Sequence, residues 1–217
     1  MAGRTDAARA AREWVTNLDL RTADAAALDD LPRGHFHATL VRWGLMYMDA
    51  PVEALVRARL AMAPGARLVA AVWVEPDRVP YFTLPRRALA PYRPLPPIDP
   101  SAPGTFRYAD PEALRRDLER AGFRVEHAED FEVAVMEAGT TAEVVAWTRA
   151  FGLTRLLNDL PEETQRSWED DLAREAEALR HDGSIRLGGV TRIVVAARPG
   201  ADGPSTTTDG GGSATAG

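Results

Sequence analysis

Phe36–Trp73 reads FHATLVRWGLMYMDAPVEALVRARLAMAPGARLVAAVW, and the remaining segments take their places around it. Ala38 to Val41 is a short apolar run, and Arg42, Trp43 and Gly44 break its strand-like pattern to open a loop of large side chains. Asp49 and Ala50 precede Pro51, whose fixed φ and missing N–H suit the first position of a helix, so a helix is predicted from about Pro51 to Met62. Val52, Leu55, Val56, Leu60 and Ala63 recur at helical spacing and give it one face to bury, and Pro64-Gly65 is expected to stop it. Leu68 to Val74 is continuously apolar, with β-branched Val69, Val72 and Val74, as befits a strand covered on both faces. Strand, helix and strand at this length predict a right-handed parallel crossover and an α/β fold.

Three pieces of that unit, FHATLV, RWGLMYMDAP and MAPGARL, stand in the order and spacing of a strand start, a bulky loop and a turn into the next strand. In this they resemble the second half of a class I S-adenosylmethionine-dependent methyltransferase, of the broad group that includes the quinone-biosynthesis methylases. The resemblance runs from roughly Ala7 to Pro199 and rests on the order of its motifs. It implies a partial Rossmann-like methyltransferase sheet with a Pro-rich lid segment at 76–109, C-terminal helices, and S-adenosylmethionine as methyl donor. Where relatives usually carry Asp after the Phe, this chain has His37.

The resemblance also nominates site residues. Asp24 and Ala25 match the pair that holds the adenine ring, although Asp24 could equally cap the turn toward Leu28. The loop Arg42 to Met48 lies at the carboxyl end of a strand, where open α/β sheets bind ligands. Arg42, Trp43 and Gly44 are the candidates for donor contacts: Arg42 for the carboxylate, Trp43 for the sulfonium, whose positive charge an aromatic face attracts. Met46 and Tyr47 on the loop, Trp73 at the end of the second strand and Tyr81 beyond it are the candidates for the pocket of a small, apolar acceptor. The competing reading makes Trp43, Met46 and Tyr47 core residues. No side chain stands out as a general base; Tyr47, His37 and the acids around Asp49 qualify by location alone.

Composition narrows the classes further. A chain of 217 residues with a 45% hydrophobic content builds one domain, expected over 1–199. A formal net charge of −6 lacks the basic stripe of a nucleic-acid footprint, and every positive side chain is arginine. The absence of cysteine excludes disulfides and thiolate chemistry. The four histidines, His35, His37, His127 and His181, lack metal-site spacing, so no metal is expected. With no apolar run of about 20 residues and no leader-like start, a cytoplasmic protein is expected.

In chain order, Asp6 to Trp14 reads as a helix and Leu18 to Arg21 as a short strand. Nine of the 16 prolines fall between Pro76 and Pro103, which argues against a regular helix there and for either a substrate lid or a cover for one sheet edge. Asp110-Pro111-Glu112 is a helix start, and Gly122 followed by Phe123 is its end. A strand over Arg124 to Met136, helices over Thr141 to Leu157 and Pro161 to Arg180, and a final antiparallel strand within Gly189 to Arg198 follow. The polar stretch 200–217 is expected to be disordered.

The family's first strand, glycine-rich loop and second acid-tipped strand are not found ahead of this unit. The sequence therefore suggests the later two-thirds of a methyltransferase. Its open edge would be completed by residues upstream, by a second chain or homodimer, or by direct pairing with Leu18 to Arg21. Two functions stay open: methyl transfer, or a noncatalytic interaction or ligand-binding module on the same fold.

Overall fold

The computed structural model describes residues 17–200 except 152 and 153. The helix expected at Asp6 to Trp14, and all of the tail expected at 200–217 but Gly200, lie outside the described residues. A five-stranded sheet runs in the order β1-β2-β5-β3, with a short β4 paired to β5. Its strands are β1 (Phe36–Arg42), β2 (Met62–Trp73), β3 (Arg124–Ala138), β4 (Arg180–His181) and β5 (Ser184–Ala197). The helices are α1 (Pro51–Ala61), α2 (Pro80–Leu89), α3 (Pro111–Arg120), α4 (Thr141–Phe151), α5 (Thr154–Asn158) and α6 (Glu162–Glu177).

The parallel crossover is present. β1 and β2 pair in parallel from Ala38↔Arg67 to Arg42↔Ala71, joined by α1 with Pro51 in its first turn. The helix ends at Ala61, before Pro64-Gly65, because Met62 is already extended. Pro64 and Gly65 instead sit inside β2, in a register shift where Gly65 takes φ +78° and its N–H donates to Arg198 O. The Arg198 guanidinium in turn donates to Arg59 O at the open end of α1, meeting a carbonyl the helix cannot satisfy itself.

The final strand is antiparallel, as expected, and lies inside the sheet, with β2 on one side and β3 on the other. Leu68, Ala70 and Val72 of β2 and Val194 and Ala196 of β5 are buried with Leu55 of α1, Leu114 and Leu118 of α3, and Phe123. A second cluster joins Leu84, Ala88 and Leu89 of α2 to Trp168, Leu172 and Ala176 of α6, with Ile185 and Leu187 of β5. α3 forms as the sequence dictates. Asp110 accepts from Glu112 N–H, Gly122 takes φ +84°, and Phe123 N–H closes on Leu118 O.

Several expectations need correction. Leu18 to Arg21 forms no strand, so it does not pair with β1; Arg21 is held instead by Asp19. The Pro-rich stretch contains a regular helix, α2. Pro80 opens it and Pro85 lies inside it, where Leu84, Pro85, Ala88 and Leu89 are buried and Trp168 donates to the Pro85 carbonyl. The helix expected over Thr141 to Leu157 is helical at Thr141–Phe151 and Thr154–Asn158, the residues between lying outside those described, and the next stops at Glu177, which leaves Leu179 exposed. β4 was not foreseen. It turns into β5 through Asp182 and Gly183, both at positive φ, the two-residue hairpin that Asp-Gly favours.

Candidate active site

The carboxyl ends of β1 and β2 bring together residues that sequence reading placed in two separate pockets. Immediately after β1, Trp43 adopts φ +51°, a left-handed conformation that a bulky side chain avoids. Three contacts hold it there. Its N–H donates to Ala71 O at 2.9 Å, its ring stacks on Trp73 with centroids 4.6 Å apart, and its Nε1–H donates to Thr191 Oγ1 at 3.0 Å. Thr191 is buried in β5 and donates onward to Val72 O. The guanidinium of Arg42 lies 5.0 Å from the Trp43 ring centroid, within cation–π range.

From Trp73 the aromatic row continues into the Pro-rich segment. Phe82 meets Trp73 edge-on at 5.6 Å, and Tyr81 and Phe106 each meet Phe82 edge-on, at 4.8 and 6.3 Å. The Tyr81 hydroxyl accepts from Trp147 Nε1 on α4. Gly44 then leads into a turn of 3₁₀ helix, Leu45–Tyr47. Met46 is fully buried, and its carbonyl takes the N–H of Gly104. Tyr47 is 50% exposed, its hydroxyl 3.0 Å from Thr105 Oγ1. Arg107 donates to Met48 O, so the loop after β1 is tied to the segment before α3 at three points.

Arg42, Trp43, Trp73 and Tyr81 thus belong to one row, with Gly44, Met46 and Tyr47 on the adjoining loop. Asp24 and Ala25 are elsewhere. Asp24 caps the turn Ala25–Ala27 by accepting from Ala26 N–H at 2.9 Å, and that turn packs against α1. Trp73 and Met46 have the burial of core side chains, whereas Arg42 and Tyr47 face solvent. Sequence reading missed Thr191 and did not place Phe82 or Phe106 in the site. The two phenylalanines were visible as aromatics of the Pro-rich segment; Thr191, 148 residues from Trp43, gave no signal.

The charged network beside this edge is structural. Asp130 on β3 accepts two hydrogen bonds from Arg192, at 2.9 and 3.2 Å, and one from Arg78, which also pairs with Glu75. Below it a cavity of about 570 Å³ opens between Arg78, Glu132, Arg186 and the Gly188-Gly189 backbone. Among the described residues no group of three His, Asp or Glu side chains converges as a metal site would, and no helix is long and apolar enough to cross a membrane.

No protein-family model and no curated protein sequence matches the chain. Solved structures do. One is a protein from work on the conversion of a disulfide bond into a thioacetal group during echinomycin biosynthesis, at 12% identity and TM-score 0.55 over 91% of this chain and 63% of that one. Another is the YcgJ protein of Bacillus subtilis, at 12% identity and TM-score 0.51 over 91% of this chain and 77% of that one. A putative methyltransferase from Bacillus halodurans also matches, at 16% identity and TM-score 0.48 over 85% of this chain and 79% of that one. With a parallel β1–β2 crossover and an antiparallel strand inserted beside it, the topology is the one the sequence resemblance implied. The fold is that of a class I methyltransferase. This methyltransferase fold spans less than two thirds of the echinomycin protein's length.

Proposed function

We propose that the chain binds S-adenosylmethionine at the carboxyl edge of β1 and β2 and serves methyl transfer to a small, apolar acceptor. One observation carries this reading. A tryptophan is held in a left-handed backbone conformation at the ligand-binding edge of an α/β sheet, with an exposed arginine over its ring. Such a residue costs on the order of 1–3 kcal/mol, and such outliers gather where a ligand is gripped.

The side chains present suit the methionine end of the donor. Arg42 is exposed and can turn its guanidinium from the ring to a carboxylate, which leaves the Trp43 face for a sulfonium cation. When bound, the donor supplies an electrophilic methyl group. The chain's part is to orient and to keep water out: Trp73, Phe82 and Phe106 form an apolar wall, and Tyr47 with Thr105 forms a polar rim. Positioning of this kind, with no dedicated general base, suffices for in-line displacement.

Calorimetric titration with S-adenosylmethionine tests the reading. Binding that weakens about tenfold or more in Arg42→Ala and in Trp43→Ala supports it. Since Arg42 is exposed, its removal leaves the fold intact even if the Trp43 variant does not fold. No binding at millimolar donor would overturn it and leave the noncatalytic module.

A further inference from the structure

Between β3 and β5 a cavity of about 570 Å³ has the volume of a small-molecule site. Ala134 and Val190 give it apolar walls, and three charged side chains line it: Arg78, Glu132 and Arg186. A Cβ at Gly189 would stand 2.6 Å from Val79 Cα, so glycine there lets the segment that carries Arg78 lie directly on β5. Asp130 is matched by Arg192, whose side chain is only 12% exposed and donates to it twice. Arg78 bonds Glu75 and Asp130 through Nη1 alone and keeps its Nε and Nη2, the two-pronged edge that grips a carboxylate. Arg186 bonds Glu137 through Nη2 and keeps Nε and Nη1. Among the described residues nothing pairs with Glu132, an exposed carboxylate opposite Val190. The cavity therefore offers unspent donors on two arginines and an unspent acceptor on one glutamate.

The order of these groups along the strands selects the ligand. Glu132 and Asp130 lie two residues apart on one face of β3, so Glu132 stands beside the Arg78 guanidinium that reaches Asp130. Arg186 is at the other end, about 10 Å along β5 from Gly189, where the Arg78 backbone rests. We infer that the cavity binds a free α-amino acid with an acidic side chain, of the glutamate class. Arg78 takes the α-carboxylate, Glu132 the α-ammonium and Arg186 the side-chain carboxylate, with the methylenes against Ala134 and Val190. A plain anion meets Glu132 as a like charge, and a basic amino acid meets Arg186 as one. An uncharged apolar molecule leaves all three groups without partners. Val190 and Thr191 alternate across β5, so this site lies on the face opposite the hydroxyl that holds Trp43, and it does not need the donor.

Calorimetric titration of the full chain with L-glutamate, in the absence of donor, tests the assignment. One-to-one binding is expected, weakened about tenfold or more in Arg186→Ala and in Glu132→Gln. Both side chains are exposed, so the circular dichroism of the two variants is expected to match the wild type. N-acetyl-L-glutamate keeps both carboxylates and lacks the cation. It is expected to bind wild type about tenfold more weakly than L-glutamate does, and to lose that disadvantage in Glu132→Gln, where the group that reads the ammonium is gone. L-lysine is expected not to compete. No binding of L-glutamate at millimolar concentration, equal affinity of wild type for the two glutamates, affinity untouched by Arg186→Ala, or competition by L-lysine would overturn the assignment.

Discussion

Thr191→Val keeps the shape of a buried side chain and deletes its hydroxyl, the atom that takes the Trp43 indole N–H. Two hydrogen bonds are lost. Trp43 Nε1–H is left facing a methyl group in a half-buried position, and Val72 O loses one of its donors. An unsatisfied donor at such a site costs about 1–2 kcal/mol, and the loss at Val72, whose carbonyl lies within the β2–β5 ladder, adds about 0.5–1 kcal/mol. The sum of roughly 1.5–3 kcal/mol corresponds to a fall in Tm of about 3–12 °C for a chain of this size. The decisive measurement is a double-mutant cycle by urea unfolding. Trp43→Phe keeps the stack on Trp73 but has no N–H, so in that background Thr191→Val should cost only the Val72 share, a coupling of about 1 kcal/mol. Equal costs in the two backgrounds would refute the claim that Thr191 holds the indole.

Gly188→Ala would put a Cβ 1.8 Å from Val133 O, a backbone atom of the neighbouring strand, so a loss above about 4 kcal/mol or insoluble protein is expected on expression and thermal melting. Asp110→Ala removes the cap of α3 and should lower stability by about 1 kcal/mol in urea titration, with Asp110→Asn losing much less. The Tyr92 hydroxyl, 2.6 Å from Asp171, and then Arg174 hold the Asp171 carboxyl below its ordinary range. A carboxyl lowered on folding adds stability above its unfolded pKa, about 4, and that contribution vanishes as pH falls through the folded value. Tyr92→Phe should therefore be destabilising at neutral pH and progressively less so in acid, and an offset that persists unchanged at the acid end of a pH series of melts would count against the pairing.

Local signals carried much of the fold. Pro51, Asp110-Pro111 and Gly122-Phe123 act within a few residues of themselves, so the structure keeps them where the sequence put them. The failures divide between contacts distant along the chain and one local turn. α2 was hidden by its prolines, and the face it buries packs on Trp168, 83 residues from Pro85, and on Leu172. Leu18 to Arg21 has strand-like composition but does not pair with the outer side of β1. The Asp182-Gly183 hairpin was legible and was passed over for a longer helix. At the site, Arg42, Trp43 and Trp73 were readable because they close strands at the ligand edge, whereas Thr191 became part of it only through the register Trp73↔Thr191.

The position of β5 bears on how the molecule is made. β3 touches the rest of the sheet only through β5, and β5 is the last of the five strands to leave the ribosome. Without Ser184 to Ala197, β3 has no partner among the described strands and β2 pairs only with β1. Closing the sheet joins Ala71 to Ile193 across a long stretch of chain, and pairings of such sequence separation slow folding.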